Sequence, residues 1–331
     1  MKGAFLMAEQ VFVDYDSRGQ KRPWQKKKLQ SLDYATYLEM LSLKKSARVK
    51  ECGNVLEFAE DGTGKRKLAR AWFCKSRLCP LCNWRRSMKA SWQLEQVLEA
   101  AHKREPQDRF IFLTLTEKNA EGQELRGRIK NFAKAFEKLI HRKAVKQFLV
   151  GYVRSLEITI NDLPDGGITY HHHYHVLLMV RNSYFKKGGY LSQKEWTDLW
   201  QEVLDLDYTP IVNVESVKRN KRKGTNSLVA SAKETAKYQV KPGDYLTARE
   251  TGEKAKVDRD LAVVKTLEEA LTGLRQISFG GLLKQVRAEL HLDDIEDGNL
   301  VHTTDEKVSD AVRQIIVKWN ASRGNYFLTG K

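Results

Sequence analysis

Apolar positions along the chain follow two rhythms, and the change from one to the other marks the elements. Phe110-Ile111-Phe112-Leu113-Thr114-Leu115-Thr116 is an unbroken run of aromatic, aliphatic and β-branched residues, the composition of a buried strand. Leu125, Ile129, Phe132, Phe136, Leu139 and Ile140 then recur every three or four positions, which predicts an amphipathic helix covering one face of a sheet. Strand composition returns over 151–161 and 168–181, and Asp165-Gly166-Gly167 between them reads as a hairpin turn. A helix over 191–204, a strand over 211–217 and a helix over 228–240 follow. Leu/Tyr-rich residues 29–43 and residues 84–102 also read as helices, as do 257–274, 282–290 and 308–319, which gives the C-terminal part a helical character. The expected class is α+β.

The second strand of the hairpin holds Thr169-Tyr170-His171-His172-His173-Tyr174-His175-Val176-Leu177-Leu178, with four of the chain's eight histidines in five positions. Alternate residues of a strand share a face, so His171, His173 and His175 point one way and His172, Tyr174, Val176 and Leu178 the other. Imidazoles at this spacing can present two ring nitrogens to one divalent ion. A tag-like polar run would be terminal and would not lead into Val-Leu-Leu-Met-Val. If the hairpin is centred on Gly166, Glu157 lies opposite His175 and projects on the histidine face, while Ile158 and Ile160 join Val176 and Leu178 on the packed side. A slip of one residue would break both arrangements.

Charge narrows the range of partners. The 331 residues hold 58 Lys+Arg against 42 Asp+Glu, a net +16, and 41% hydrophobic residues, which fits a folded protein that binds a polyanion such as nucleic acid. No apolar run approaches the ~18 residues of a membrane span, and the first residues turn polar too soon for a signal peptide, so the expectation is a cytoplasmic protein with no membrane partner. Cys52, Cys74, Cys79 and Cys82 then read as metal ligands rather than disulfides. Cys79-Pro80-Leu81-Cys82 is a zinc-knuckle spacing, and Cys74 and Cys52 could close a structural four-thiolate Zn2+ site, with Cys52 fixed by no motif. Phosphate-contact candidates are Lys21-Arg22-Pro23-Trp24-Gln25-Lys26-Lys27-Lys28, then Arg85 and Arg86 after the cysteines, and above all the loop Lys218-Arg219-Asn220-Lys221-Arg222-Lys223. That loop leads into Glu234-Thr235-Ala236-Lys237-Tyr238-Gln239-Val240-Lys241. Glu234 and Tyr238 share a helical face, with Lys241 a further three residues along, a spacing that many ordinary helices also show.

Together these motifs resemble the plasmid rolling-circle replication initiators, the Rep proteins of the HUH endonuclease superfamily. Phe112-Leu113-Thr114-Leu115-Thr116 looks like that family's first motif, His173-Tyr174-His175-Val176-Leu177-Leu178 like its His-hydrophobe-His motif, and Glu234-Thr235-Ala236-Lys237-Tyr238 like its nucleophile helix. Cysteines ahead of the first motif, followed by Asn83-Trp84-Arg85-Arg86-Ser87, are similar to the branch that terminates with a glutamate. The likeness covers roughly residues 50 to 290. One departure is that a small or polar residue and a proline usually precede the paired histidines, where this chain has His171 and His172; His171 therefore stands as an alternative to Glu157.

The resemblance implies a central antiparallel sheet of about five strands flanked by helices. With the N-terminal zinc-binding unit and the helical C-terminal extension read from the residues, the chain divides into a basic zinc region (1–104), a nicking domain (105–250) and the extension (251–331). The resemblance places the metal site on the sheet. It also implies that His173, His175 and Glu157 hold Mg2+ or Mn2+, that Tyr238 is the nucleophile with Lys241 and Lys237 supporting it, and that Glu234 serves termination. The partners it implies are origin DNA, a host helicase and a DNA polymerase. Competing readings are a non-catalytic zinc-dependent DNA-binding regulator, an HUH transposase or relaxase, and a non-haem iron oxygenase using two histidines and a carboxylate.

Overall fold

In the computed structural model, residues 10–217, 232, 234–236, 240–248, 253–304 and 311–329 are described. In chain order they begin with α1 (Trp24–Met40), α2 (Ser46–Glu51), β1 (Val55–Asp61), β2 (Arg66–Ala71) and α3 (Pro80–Arg104). Next come β3 (Arg109–Thr116), β4 (Ala120–Glu121), α4 (Leu125–His141), α5 (Lys143–Lys146), β5 (Leu149–Asp162), β6 (Ile168–Val180) and α6 (Gln193–Leu204). The remainder is β7 (Val212–Ser216), α7 (Pro242–Tyr245), α8 (Lys254–Leu271), β8 (Ile277–Gly280), α9 (Gly281–Glu289), β9 (Ala311–Asn320) and β10 (Asn325–Leu328). None of the described helices is long and apolar enough to cross a membrane. The chain forms two compact units, one of 1–86 with 299–331 and one of 87–298.

The 87–298 unit is built on an antiparallel sheet in the order β7-β3-β6-β5-β8, with the short β4 added to β6. The α+β class and the sheet of about five strands are therefore as the sequence suggests. The β5–β6 register differs by two residues from a hairpin centred on Gly166: Glu157 pairs with His173, and Ser155 with His175. Five residues separate the last pair, Asp162 and Ile168, so the centre falls on Asp165. Leu163 N donates to Gly167 O (2.8 Å), Asp165 Oδ1 accepts from Gly167 N (2.9 Å), and Gly166 takes φ +84°, where a side chain would be strained. A shift of two preserves facing, so Glu157 still joins His173 and His175.

His172, Tyr174 and Leu178 turn to the opposite face, where α4 packs. Phe132 lies edge-on to His172 (5.0 Å between centroids) and to Trp200 of α6 (4.9 Å), and tilted against Tyr174 (4.7 Å). The stripe predicted at Leu125, Ile129, Phe132, Phe136, Leu139 and Ile140 is buried throughout. On the histidine face, Phe110, Val153, Leu177 and Met179 form a second core with Leu94, Val97 and Leu98 of α3, Leu283 and Val286 of α9, and Ala232 and Ala236.

The other unit carries a four-stranded antiparallel sheet, β10-β9-β1-β2. Residues 308–319, expected to be helical, hold most of β9 instead. Val308, Val312, Ile315 and Trp319 do fit helical spacing, but Ile315-Ile316-Val317 is β-branched and β1 offers an edge to pair with. Val317 pairs with Leu56 and Ile315 with Phe58, and all four are buried while Ile316 faces solvent.

Phe132, fully buried between the sheet and α6, is the centre of the α4 contact. Phe132→Ala is expected to destabilise the 87–298 unit by about 3–5 kcal/mol, read as a lower urea midpoint at unchanged m-value. A loss below about 1 kcal/mol would mean that the face is not packed as described.

Candidate metal centre

Strand pairing delivers three ligand atoms to one place. His175 Nε2 lies 3.0 Å, and His173 Nε2 3.6 Å, from Glu157 Oε2. The two rings stand perpendicular, 4.9 Å between centroids, and the three ligand atoms lie within 4.8 Å of one another. All three side chains are only 10–12% exposed, so the group is sheltered but not sealed. Burial by itself would raise the Glu157 carboxyl, but hydrogen bonds and charge from His173 and His175 outweigh it and hold the group well below the usual carboxylate range. It is thus anionic at neutral pH, and two imidazoles with a carboxylate make a donor set suited to a divalent cation.

Neighbouring residues fix these ligands. Thr114 pairs directly with His175 across β3–β6, and its Oγ1 lies 3.5 Å from His175 Nδ1. A carboxylate only accepts, so Nε2 carries its proton toward Glu157 and Nδ1 accepts from this hydroxyl; with Nε2 ligating an ion, Nδ1–H would donate to Thr114 Oγ1 instead, an outer hydrogen bond of the kind that sets the tautomer of a ligating histidine. Phe112, two residues earlier on the same face, stacks on the His175 ring at 5.6 Å and 23°. The sequence reading placed both in a motif but gave them no role; the alternation of Phe112 and Thr114 opposite a histidine strand was the available signal. Lys241, just before α7, brings Nζ to 3.4 Å from Glu157 Oε1 with its side chain 57% exposed.

His171 lies apart from the trio: its Nδ1 donates to Asn119 Oδ1 at 3.0 Å. His172 is fully buried on the other face, with Nε2 2.5 Å from Glu117 Oε1, and Glu117 Oε2 is 3.7 Å from Arg128. Glu234 is half-buried in a segment tied to α3 by Ser87 Oγ donating to Ala236 O at 2.9 Å. Tyr238, Lys237, Lys218, Arg219, Lys221, Arg222 and Lys223 lie outside the described residues.

In the other unit Cys52, Cys74, Cys79 and Cys82 are free, buried and gathered in one cluster. Sulfur separations of 3.5 Å (52–82), 3.6 Å (74–82) and 3.7 Å (52–79) approach the edge of a tetrahedron with metal–sulfur bonds of about 2.3 Å, which is about 3.8 Å. Burial pushes the Cys52 thiol up. Cys79 is held down despite burial by its hydrogen bonds with the other cysteines and with Ser31. Lys28, fully buried, donates to Lys50 O (2.6 Å) and Cys52 O (2.9 Å), which places an ammonium beside the thiols. This residue of the basic run is therefore internal. So are Arg85 and Arg86: Arg85 donates to Leu300 O (2.9 Å) and Val301 O (2.6 Å), and Arg86 to Ser76 O (3.0 Å) and Lys75 O. At 2% and 4% exposure neither offers a phosphate-binding surface, which corrects the reading of both as DNA contacts.

Because Thr114 touches only the far nitrogen of His175, Thr114→Val should weaken Mn2+ binding about tenfold in a calorimetric titration, with Thr114→Ser close to wild type. Equal affinities for all three proteins would remove the hydroxyl from the site.

The replication-protein family matches residues 65–327. A "Protein rep" of Lentilactobacillus hilgardii is 50% identical over 325 residues, covering 97% of this chain and 100% of the relative. Another from Lactiplantibacillus plantarum is 49% identical over 325 residues, with 96% and 99% covered. A third, from Streptococcus pneumoniae, is 39% identical over 330 residues, with 98% and 97% covered. No solved structure matches the chain. Matched by the family over most of its length and by relatives along nearly all of theirs, the chain belongs to the Rep family of plasmid replication initiators.

Proposed function

We propose that this replication protein initiates rolling-circle replication as a metal-dependent, site-specific nickase of the HUH type, working through Tyr238 on one strand of the origin. The observation that supports this reading is the convergence of His173 Nε2, His175 Nε2 and Glu157 Oε2 on one face of the antiparallel sheet, with Lys241 beside them. In this reading the three residues hold Mg2+ or Mn2+, the second being favoured by mixed imidazole and carboxylate donors. When bound, such an ion neutralises charge that builds on the non-bridging oxygens of the scissile phosphate.

The chain supplies the remaining chemistry. The Tyr238 oxygen attacks phosphorus in line, a P–O bond to tyrosine forms as the P–O3′ bond breaks, and O3′ takes up a proton. The products are a 5′-phosphotyrosine and a 3′-OH primer, and the covalent link conserves the phosphodiester for rejoining. A phenol titrating near 10 is a poor nucleophile at neutral pH, and Lys241 and Lys237 are assigned to favour its ionised form. Glu234 is assigned to the closing step, where its carboxylate takes a proton from the water that cleaves the regenerated origin.

Lys218, Arg219, Lys221, Arg222 and Lys223 are assigned to DNA phosphates. The four cysteines, whose sulfur separations suit a tetrahedral ion, are assigned a structural Zn2+. A helicase to unwind the duplex and a polymerase to extend the primer are the host partners this activity calls for.

The test is incubation with labelled single-stranded origin DNA and Mn2+, followed by peptide mapping of the adduct. Wild type should yield a covalent adduct at Tyr238, and Tyr238→Phe should yield neither adduct nor nicked plasmid; an adduct that persists in the variant sinks the assignment. Substituting alanine for His173 and His175 together should abolish cleavage while origin binding stays within about twofold. Glu234→Ala should nick as wild type does but accumulate unterminated products, whereas equal loss of nicking and termination would contradict its assigned role.

A further inference from the structure

The sheet β10-β9-β1-β2 carries an open groove that neither the metal centre nor the cysteine cluster uses. Its volume is about 750 Å3, and Arg48, Asn54, Val55, Glu57, Arg70 and Trp72 are among the residues that line it. Trp72, one residue past β2, is 50% exposed, and Val55 and Ile316 on the same sheet are 39% and 36% exposed. A large indole left half in water beside a groove of this size offers a stacking surface.

The polar groups divide between floor and rim. Glu51 Oε2 accepts from Asn54 Nδ2 at 2.6 Å, while Glu57 accepts from Gln314 at 3.2 Å and lies 3.8 Å from Arg70. The acids of the groove are thus engaged, and its lining of Arg48 and Arg70 against Glu51 and Glu57 is electrically balanced, as an uncharged base requires. Arg70, 81% exposed, and Lys318, also exposed, can meet phosphates at the rim, as can the remaining donors of Arg48, one Nη of which donates to Cys74 O at 3.2 Å.

Charge over the whole unit points the same way. Residues 1–86 and 299–331 hold 24 Lys+Arg against 12 Asp+Glu, which is +12 of the chain's +16. Residues 87–298 hold 34 against 30. The excess of positive charge therefore lies mainly in the unit with the cysteine cluster, although Lys28, Arg85 and Arg86 within it are internal.

We infer that the Trp72 groove binds single-stranded DNA, stacking an unpaired base on the indole while Arg70, Arg48 and Lys318 hold the flanking phosphates. This rests on the reading of the chain as a DNA-nicking initiator. An unpaired base is the fitting occupant because only an unstacked base offers its face to the indole. A large apolar partner surface would instead have to cover the charged Glu57 and Arg70.

The test is fluorescence anisotropy of a labelled 15-nucleotide oligo-dT with full-length protein at several salt concentrations. Trp72→Ala should weaken binding about tenfold and leave the salt slope unchanged, and Trp72→Phe should stay within about twofold of wild type. Arg70→Gln should flatten the slope of log K against log salt by about 0.7, the change expected for one lost phosphate contact. Trp72→Ala binding that matches wild type overturns the inference, as does an equal loss for oligo-dT and duplex. A concentration-dependent dimer in light scattering that Trp72→Ala abolishes overturns it too, by assigning the groove to a second copy. Wild-type protein that binds neither oligo-dT nor origin DNA would instead overturn the nickase reading itself.

Discussion

The pairing of β5 with β6 is the constraint on which the rest of the candidate site depends. Side chains on a strand alternate with period two, so one relative placement of the strands puts Glu157, His173 and His175 on the same face and Tyr174, Val176 and Leu178 on the other. A slip of one residue would turn His171, His173 and His175 toward α4 and take Tyr174, Val176 and Leu178 out of that core. The same choice of register builds a metal-type donor set and fills the core, and the turn at Leu163–Gly167 and the Phe132 packing hold it.

Around that frame the chain distributes its polar groups economically. Four histidines in five positions serve three purposes: two converge on Glu157, one hydrogen-bonds Asn119, and one is buried beside Glu117. Thr114 and Phe112 settle the orientation of His175 from the next strand. Within the other unit a buried ammonium from Lys28 sits by four thiols, and two guanidiniums satisfy backbone carbonyls, so basic residues near the cysteines work as internal cement. Among its basic residues Arg70, Arg48 and Lys318 are exposed, Arg70 3.8 Å from Glu57 and Arg48 donating one Nη to Cys74 O at 3.2 Å.

Much of this was legible in the sequence because it depends on periodicity. The α4 stripe, the strand alternation of the histidines and the cysteine spacing are local patterns, and each appears in the structure as its spacing suggests. The hairpin centre was misplaced by two residues because the turn uses five residues rather than closing on Gly166, an error that parity forgives. Residues 308–319 were misread because their apolar spacing suits a helix equally well, and pairing with β1, some 250 residues earlier, decides the matter. Arg85 and Arg86 carry no local mark of burial, since the carbonyls that hold them lie at Leu300–Val301 and at Lys75–Ser76. Likewise the approach of Lys241 to Glu157, and of Cys52 to the other thiols, comes from tertiary structure that spacing does not encode.

The central claim is that Glu157, His173 and His175 hold one divalent ion. Anomalous scattering from crystals grown with Mn2+ measures this directly. The account predicts a single strong peak on the sheet, about 2.0–2.3 Å from His173 Nε2, His175 Nε2 and a Glu157 oxygen. A peak ligated by His171 in place of Glu157, or no peak at these residues under saturating Mn2+, would contradict it.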